Sequence, residues 1–243
     1  MKSILFSFIF LFLMSIANAQ QLEGTILYEQ KVNLHRRLTA DQEEMKARLP
    51  EFSTSKKELI FNRDASLYKE MVDDDAGSGR GGRGFMRIGG GSSEVYADFN
   101  TQILTEATSL FNEDYLIEGE FEPLPWVLTG ETKTILGRMC QQATYTIAEP
   151  LTEVVAWFTP MIPISVGPEK FRGLPGAVLE VDINMGERTF TAFNISDKPI
   201  RVKDLKAPKK GKKVSNAEFK EIQAAKMKEM ENNPGPMRFM RGG

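Results

Sequence analysis

Between Trp157 and Asn184 the chain reads WFTPMIPISVGPEKFRGLPGAVLEVDIN, with Pro160, Pro163, Pro168 and Pro175 set between two apolar stretches. Each proline fixes φ and removes a backbone donor, while Gly167, Gly173 and Gly176 add conformations closed to other residues. That spacing excludes a helix and a plain hairpin, so the segment must be a shaped bridge. On its far side Ala177, Leu179, Val181 and Ile183 alternate with Glu180, Asp182 and Asn184, the pattern of a strand with one dry face. On its near side 153–158 is apolar on nearly both faces, as in a central or covered strand.

The rest of the chain repeats the strand theme. Ile26, Tyr28, Val32 and Leu34 share one parity against Glu29, Lys31 and Asn33, and strand character returns at 57–62, 66–72, 94–99, 102–110 and 115–121. Turn residues separate them at Asn62-Arg63-Asp64, Asn100-Thr101 and Asn112-Glu113-Asp114. Further strands are predicted at 133–136, 139–147 and 152–158, and 177–184 pairs with 188–195 across Met185-Gly186-Glu187. Leu38 to Leu49 has a helical period instead, with Thr39-x-x-Gln42 as a capping box and Pro50 as a stop. About ten strands and one short N-terminal helix predict a mainly β fold, a curved antiparallel sheet or half-barrel, because open sheets of that size twist and curl. A β-sandwich has similar strand spacing and stays open as the alternative.

Residues 1–19 place Lys2 before an apolar run and end in Ala17-Asn18-Ala19, the pattern of a cleaved signal peptide. The apolar run is too short to span a bilayer, so the expected location is periplasmic, outer-membrane associated or secreted. A single β-rich domain is expected over 20–200, interrupted by a Gly/Arg-rich loop at 72–92. Over 201–243 a basic linker with Lys203, Lys206, Lys209, Lys210, Lys212 and Lys213 precedes a helix opened by Ser215-x-x-Glu218, then a flexible tail. A formal net charge of −2 offers no global basic field, which argues against nucleic acid as a partner. Cys140 is the single cysteine, so no internal disulfide exists and stability must come from a core.

The tract Gly173-Leu174-Pro175-Gly176-Ala177-Val178, with Trp157, Pro163, Gly167 and Pro168 upstream, closely resembles the signature of the GLPGLI family. A second block, Trp126, Glu131-Thr132-Lys133 and Ile135-x-Gly137-x-x-Cys140-x-x-Ala143, looks like that family's other conserved region. Ala177 and Val178 replace the Leu and Ile of the family's name; both remain apolar. The resemblance implies an exported protein of the Bacteroidetes type with no assigned activity and no defined catalytic residues. Within the motif Leu174 is expected to point inward as an apolar peg and Gly176 to let the chain enter the next strand. Trp126, Trp157, Phe158 and Leu174 are expected near the apolar interior.

The residues that carry chemistry are sparse. G-x-G-x-x-G spacing occurs in 77–84, but without the strand before and helix after that a phosphate turn requires. Phe85-Met86-Arg87 is echoed by Phe239-Met240-Arg241, so Phe85, Arg87, Phe239 and Arg241 mark two candidate docking segments for an envelope partner or a membrane periphery. Met227-x-x-Met230 and Met237-x-x-Met240 have a spacing suited to Cu(I), the one metal alternative. His35, the single histidine, reads as a solvated strand-end residue and Cys140 as a buried structural thiol, which leaves no nucleophile and base pair. No cofactor is expected. The predicted function is a non-enzymatic envelope protein that binds an apolar ligand or a partner through its curved sheet. An accessory role to an outer-membrane receptor or transporter is the second reading, and an uncharacterised hydrolase the third.

Overall fold

The computed structural model describes residues 22–38, 42–71, 93–147 and 151–232. The candidate signal peptide, the Gly/Arg-rich segment with Phe85 and Arg87, and the terminal Met237, Phe239, Met240 and Arg241 lie outside these. The described chain forms one twelve-stranded open sheet, mainly antiparallel as the alternation predicts. Its strands are β1 (Gly24–Asn33), β2 (Phe52–Phe61), β3 (Ala65–Glu70), β4 (Glu94–Asp98), β5 (Ile103–Leu110) and β6 (Glu113–Glu120). They continue as β7 (Val127–Ile135), β8 (Arg138–Ile147), β9 (Thr152–Thr159), β10 (Ala177–Ile183), β11 (Arg188–Ser196) and β12 (Lys212–Ser215). The order across the sheet is β12-β6-β5-β4-β3-β2-β1-β11-β10-β9-β8-β7. Two antiparallel meanders, β1 to β6 and β7 to β11, are joined where β11 returns to pair with β1.

Helices are few: α1 (Glu43–Arg48) early and α2 (Asn216–Asn232) last. The early helix begins after Gln42; the box expected at Thr39-x-x-Gln42 involves Thr39, which lies outside the described residues. The second helix starts as read. Ser215 N–H donates to the Glu218 carboxylate at 2.7 Å and Glu218 N–H donates to Ser215 Oγ at 3.2 Å, a reciprocal capping box.

The sheet has two packed faces. On the inner face Ile26, Tyr28, Leu59, Tyr68, Val95, Val154, Ala156, Phe158, Val181 and Phe190 form the main core. The strand alternation that sends these residues inward sends Ile60, Ala65 and Leu67 outward, where Ile200 and Leu205 cover them. The chain after β11 therefore crosses the outer face before reaching the far edge. There the basic stretch read as a linker contributes β12, parallel to β6 in the register Lys212↔Tyr115 to Ser215↔Glu118. The last helix folds back over β6, with Phe219 edge-on to Tyr115 at 5.3 Å and Ile222 alongside.

Candidate functional site

The proline-rich bridge between β9 and β10 lies on the inner face. Ile162, Ile164, Val166, Phe171 and Leu174 are buried in the main core, and Leu174, 2% exposed, is the inward peg expected from the sequence. Backbone bonds stitch the bridge to the strand it feeds, from Ala177 N–H to Ile162 O at 3.1 Å and from Val178 N–H to Val166 O at 2.8 Å. Two glycines are dictated by close approach. A Cβ at Gly167 would stand 2.0 Å from Phe171 O, and one at Gly176, where φ is +152°, 2.2 Å from Thr159 O. Pro168 is buried beside them, while Pro163, Gly173 and Pro175 face solvent.

The two tryptophans take different places. Trp126 packs at the rim of the core, edge-on to Tyr145 with centroids 4.7 Å apart, and its Nε1–H donates to Arg172 O at 2.8 Å. Phe158 is fully buried, but Trp157 stands out of phase with it on β9. The Lys133 ammonium lies 4.3 Å above the Trp157 ring and pairs with Glu180 at 2.7 Å. Cys140 is buried and free, and burial pushes its thiol up, the reverse of an activated nucleophile. His35 sits in a short turn with Nε2 2.9 Å from Leu49 O. Of the methionine pairs only Met227 has a described side chain, exposed on the last helix.

The bridge also brings charged groups onto the inner face that local sequence reading did not join. Glu169 has left-handed backbone at φ 49°, a conformation that costs an ordinary side chain roughly 1–3 kcal/mol, and its carboxylate pairs with Arg188 of β11 at 3.1 Å. Glu106 of β5 faces the same space. It stands in one cross-strand row with Tyr68, separated by Val95. Burial first, and then the Glu169 charge, raise its carboxyl above the ordinary range, with Lys170 and Arg188 opposing. The Tyr68 hydroxyl is buried without a hydrogen-bond partner among the described residues, within electrostatic reach of Glu169, Arg188 and Glu70. Lys57, also largely buried, is held 3.5 Å from Glu70 at the border of this cluster.

Arg172 closes the bridge on its other side. Its guanidinium lies 4.7 Å from the Phe121 ring centroid, and burial lowers its pKa to about 10. Nη2 donates to Glu169 O at 3.3 Å, whereas Nη1 is buried without a partner among the described residues. Glu106 shares a strand face with Leu104, which packs against the main core. The influence of the Glu169 charge on Glu106 depends on the bridge folding across the inner face.

The sheet edges contrast with this interior. Strand β7 is paired with β8 alone, and its other side has no strand neighbour among the described residues. Val127 and Leu128 on it are 63% and 55% exposed, with Leu136, Met139 and Met161 also open. The register shift between Leu128 and Thr132 is a bulge that twists this edge. At the opposite edge, β12 is four residues long and carries Lys212 and Lys213, a form that discourages further pairing.

A family model described as a protein of unknown function (Porph_ging) matches residues 147–180, which span β9, the bridge and the first part of β10. No curated protein matches the chain at a significant level. Among solved structures, PNGF-II in the P21 space group aligns with a TM-score of 0.56 at 14% identity, covering 83% of this chain and 33% of that one. The same protein in the C2 space group gives 0.55, again at 14% identity, with 82% and 32% covered. At that identity the likeness concerns fold alone, and the chain spans about a third of the length of PNGF-II. The chain thus carries a Porph_ging-type region of unknown function within a mainly β, open curved sheet of the kind found in part of PNGF-II.

Proposed function

We propose that this is an exported, non-catalytic envelope protein of the GLPGLI type that binds an extended segment of a partner polypeptide along β7. The observation that carries this reading is the free edge of β7, flanked by exposed Val127 and Leu128. A strand added there would satisfy the open backbone groups and cover the exposed side chains, the usual chemistry of strand addition. The alternative of an apolar ligand inside the sheet has less support, because Ile162, Val166, Phe171 and Leu174 of the bridge already fill the inner face. Absence of catalysis rests on the burial and raised thiol of Cys140 and on a lone histidine bound to a backbone carbonyl.

The test is site-specific photocrosslinking in the native envelope, with benzoylphenylalanine at Leu128 and, as control, at the exposed Phe193 of β11. A defined adduct is expected from position 128 alone, and it should disappear when Val127 is changed to Lys. Equal labelling from both positions, or an adduct indifferent to Val127→Lys, would overturn the reading.

A further inference from the structure

We propose that the β7 edge selects a partner segment in which a lysine or arginine stands next to an apolar residue, the basic group reaching Glu131 while the apolar one covers Leu128. This rests on the strand-addition reading and names the chemistry of the segment added. Leu128 and Glu131 are brought to one place by the bulge. The register passes from Leu128↔Ala143 to Thr132↔Gln141, so β7 spends four steps where β8 spends two. Thr129 fixes the bulge, since its hydroxyl donates to Gln142 Oε1 at 2.8 Å and accepts the Glu131 N–H at 3.3 Å. Every residue from 127 to 132 is exposed. A strand added beside β7 therefore passes Leu128, Glu131 and Thr132 within about three of its own residues.

Charge decides what that segment carries. Strand β7 has two charged side chains, Glu131 and Lys133. The Lys133 ammonium is taken up by Glu180 at 2.7 Å and by the Trp157 ring at 4.3 Å, whereas Glu131 has no ion-pair partner among the described residues. The edge thus presents one uncompensated negative charge beside the apolar Val127 and Leu128. An acidic segment would be repelled, and a wholly apolar one would cover Leu128 but strip water from the carboxylate without replacing its hydrogen bonds. A lysine or arginine meets both demands, because its methylene stem lies along apolar side chains while its head reaches the carboxylate. A second copy of this chain fits less well. Its own β7 would bring another Glu131 as the one unpaired charge, and like charges across paired strands destabilise.

Fluorescein-labelled, end-capped peptides with Leu-Lys, Leu-Glu, Leu-Gln or Ser-Lys at the centre of an otherwise Thr/Val sequence test this by anisotropy on the full chain at low salt. The Leu-Lys peptide is expected to bind tightest, with Leu-Gln about threefold and Leu-Glu about tenfold weaker, the scale of one exposed ion pair and of its reversal. Ser-Lys should lose about fivefold through the missing apolar contact. Raising the salt should narrow the gap between Leu-Lys and Leu-Glu. Glu131→Lys should reverse that preference and Glu131→Gln should erase it, both at the native unfolding temperature because the side chain is exposed. Equal binding of Leu-Lys and Leu-Glu by the native chain, an unchanged order in Glu131→Lys, or no peptide binding at all would overturn the inference. So would a dimer in sedimentation that Val127→Lys dissociates, since a second copy would then occupy the edge. The envelope adduct from position 128 is a separate readout. Its persistence beside a failed charge preference leaves the strand-addition reading standing, and its loss removes both.

Discussion

The bridge between β9 and β10 and the helix α2 are both laid on the inner face of one sheet, yet they are held in opposite ways. The bridge buries five large apolar side chains, and two of its glycines stand where no side chain fits. The helix offers the sheet Phe219 and Ile222 and otherwise relies on its capping box and on exposed pairs such as Lys226 with Glu113 at 3.3 Å. Apolar burial and steric fit are strong and unscreened, whereas exposed ion pairs contribute little and weaken with salt. The bridge therefore sets the geometry of the sheet, and the terminal helix is an addition that can loosen without opening the core.

The sharpest way to break this contrast is Gly176→Val. With a Cβ 2.2 Å from Thr159 O and φ at +152°, the substitution forces backbone movement at the start of β10, and a loss of roughly 3 kcal/mol or more is expected in denaturant unfolding. Retention of native stability would show that the bridge is looser than its packing implies. Next comes a matched pair. Leu174→Ala should cost about 2–5 kcal/mol by leaving a cavity in the main core, while Ile222→Ala on the half-buried helix face should cost about 1 kcal/mol. Similar losses for the two would erase the distinction between the regions. The smallest effect is expected from Ser215→Ala, which removes one half of the capping box and should lower helix content while costing the global transition about 1 kcal/mol or less. Hydrogen exchange should then speed along α2 and stay unchanged in β9 and β10; faster exchange in both would mean the helix is integral to the core.

Much of the architecture was legible residue by residue. The alternation of Ala177 to Ile183 and the prolines and glycines before it are local signals, and each described a strand, a bridge and an inward Leu174. Ser215 and Glu218 announced a helix start for the same reason, since a capping box involves neighbours only. The misses were of another kind. Strand β7 begins at Val127, earlier than its alternation suggested, because the bulge at Thr129 to Glu131 breaks the period. Strand β12 is too short and too rich in lysine to stand out, and only β6 beside it makes it a strand.

The same division holds for the candidate site. Periodicity along the chain is enough to decide which residues of a strand share a face. It carries no information on which distant segment will lie above them. That was decided when the bridge folded across the inner face and paired Glu169 with Arg188, and when the chain after β11 crossed the outer face to pair beside β6. Pattern and propensity act over a few residues, while pairing between remote elements depends on the closure of the whole sheet, so the tertiary structure alone could bring those charges together.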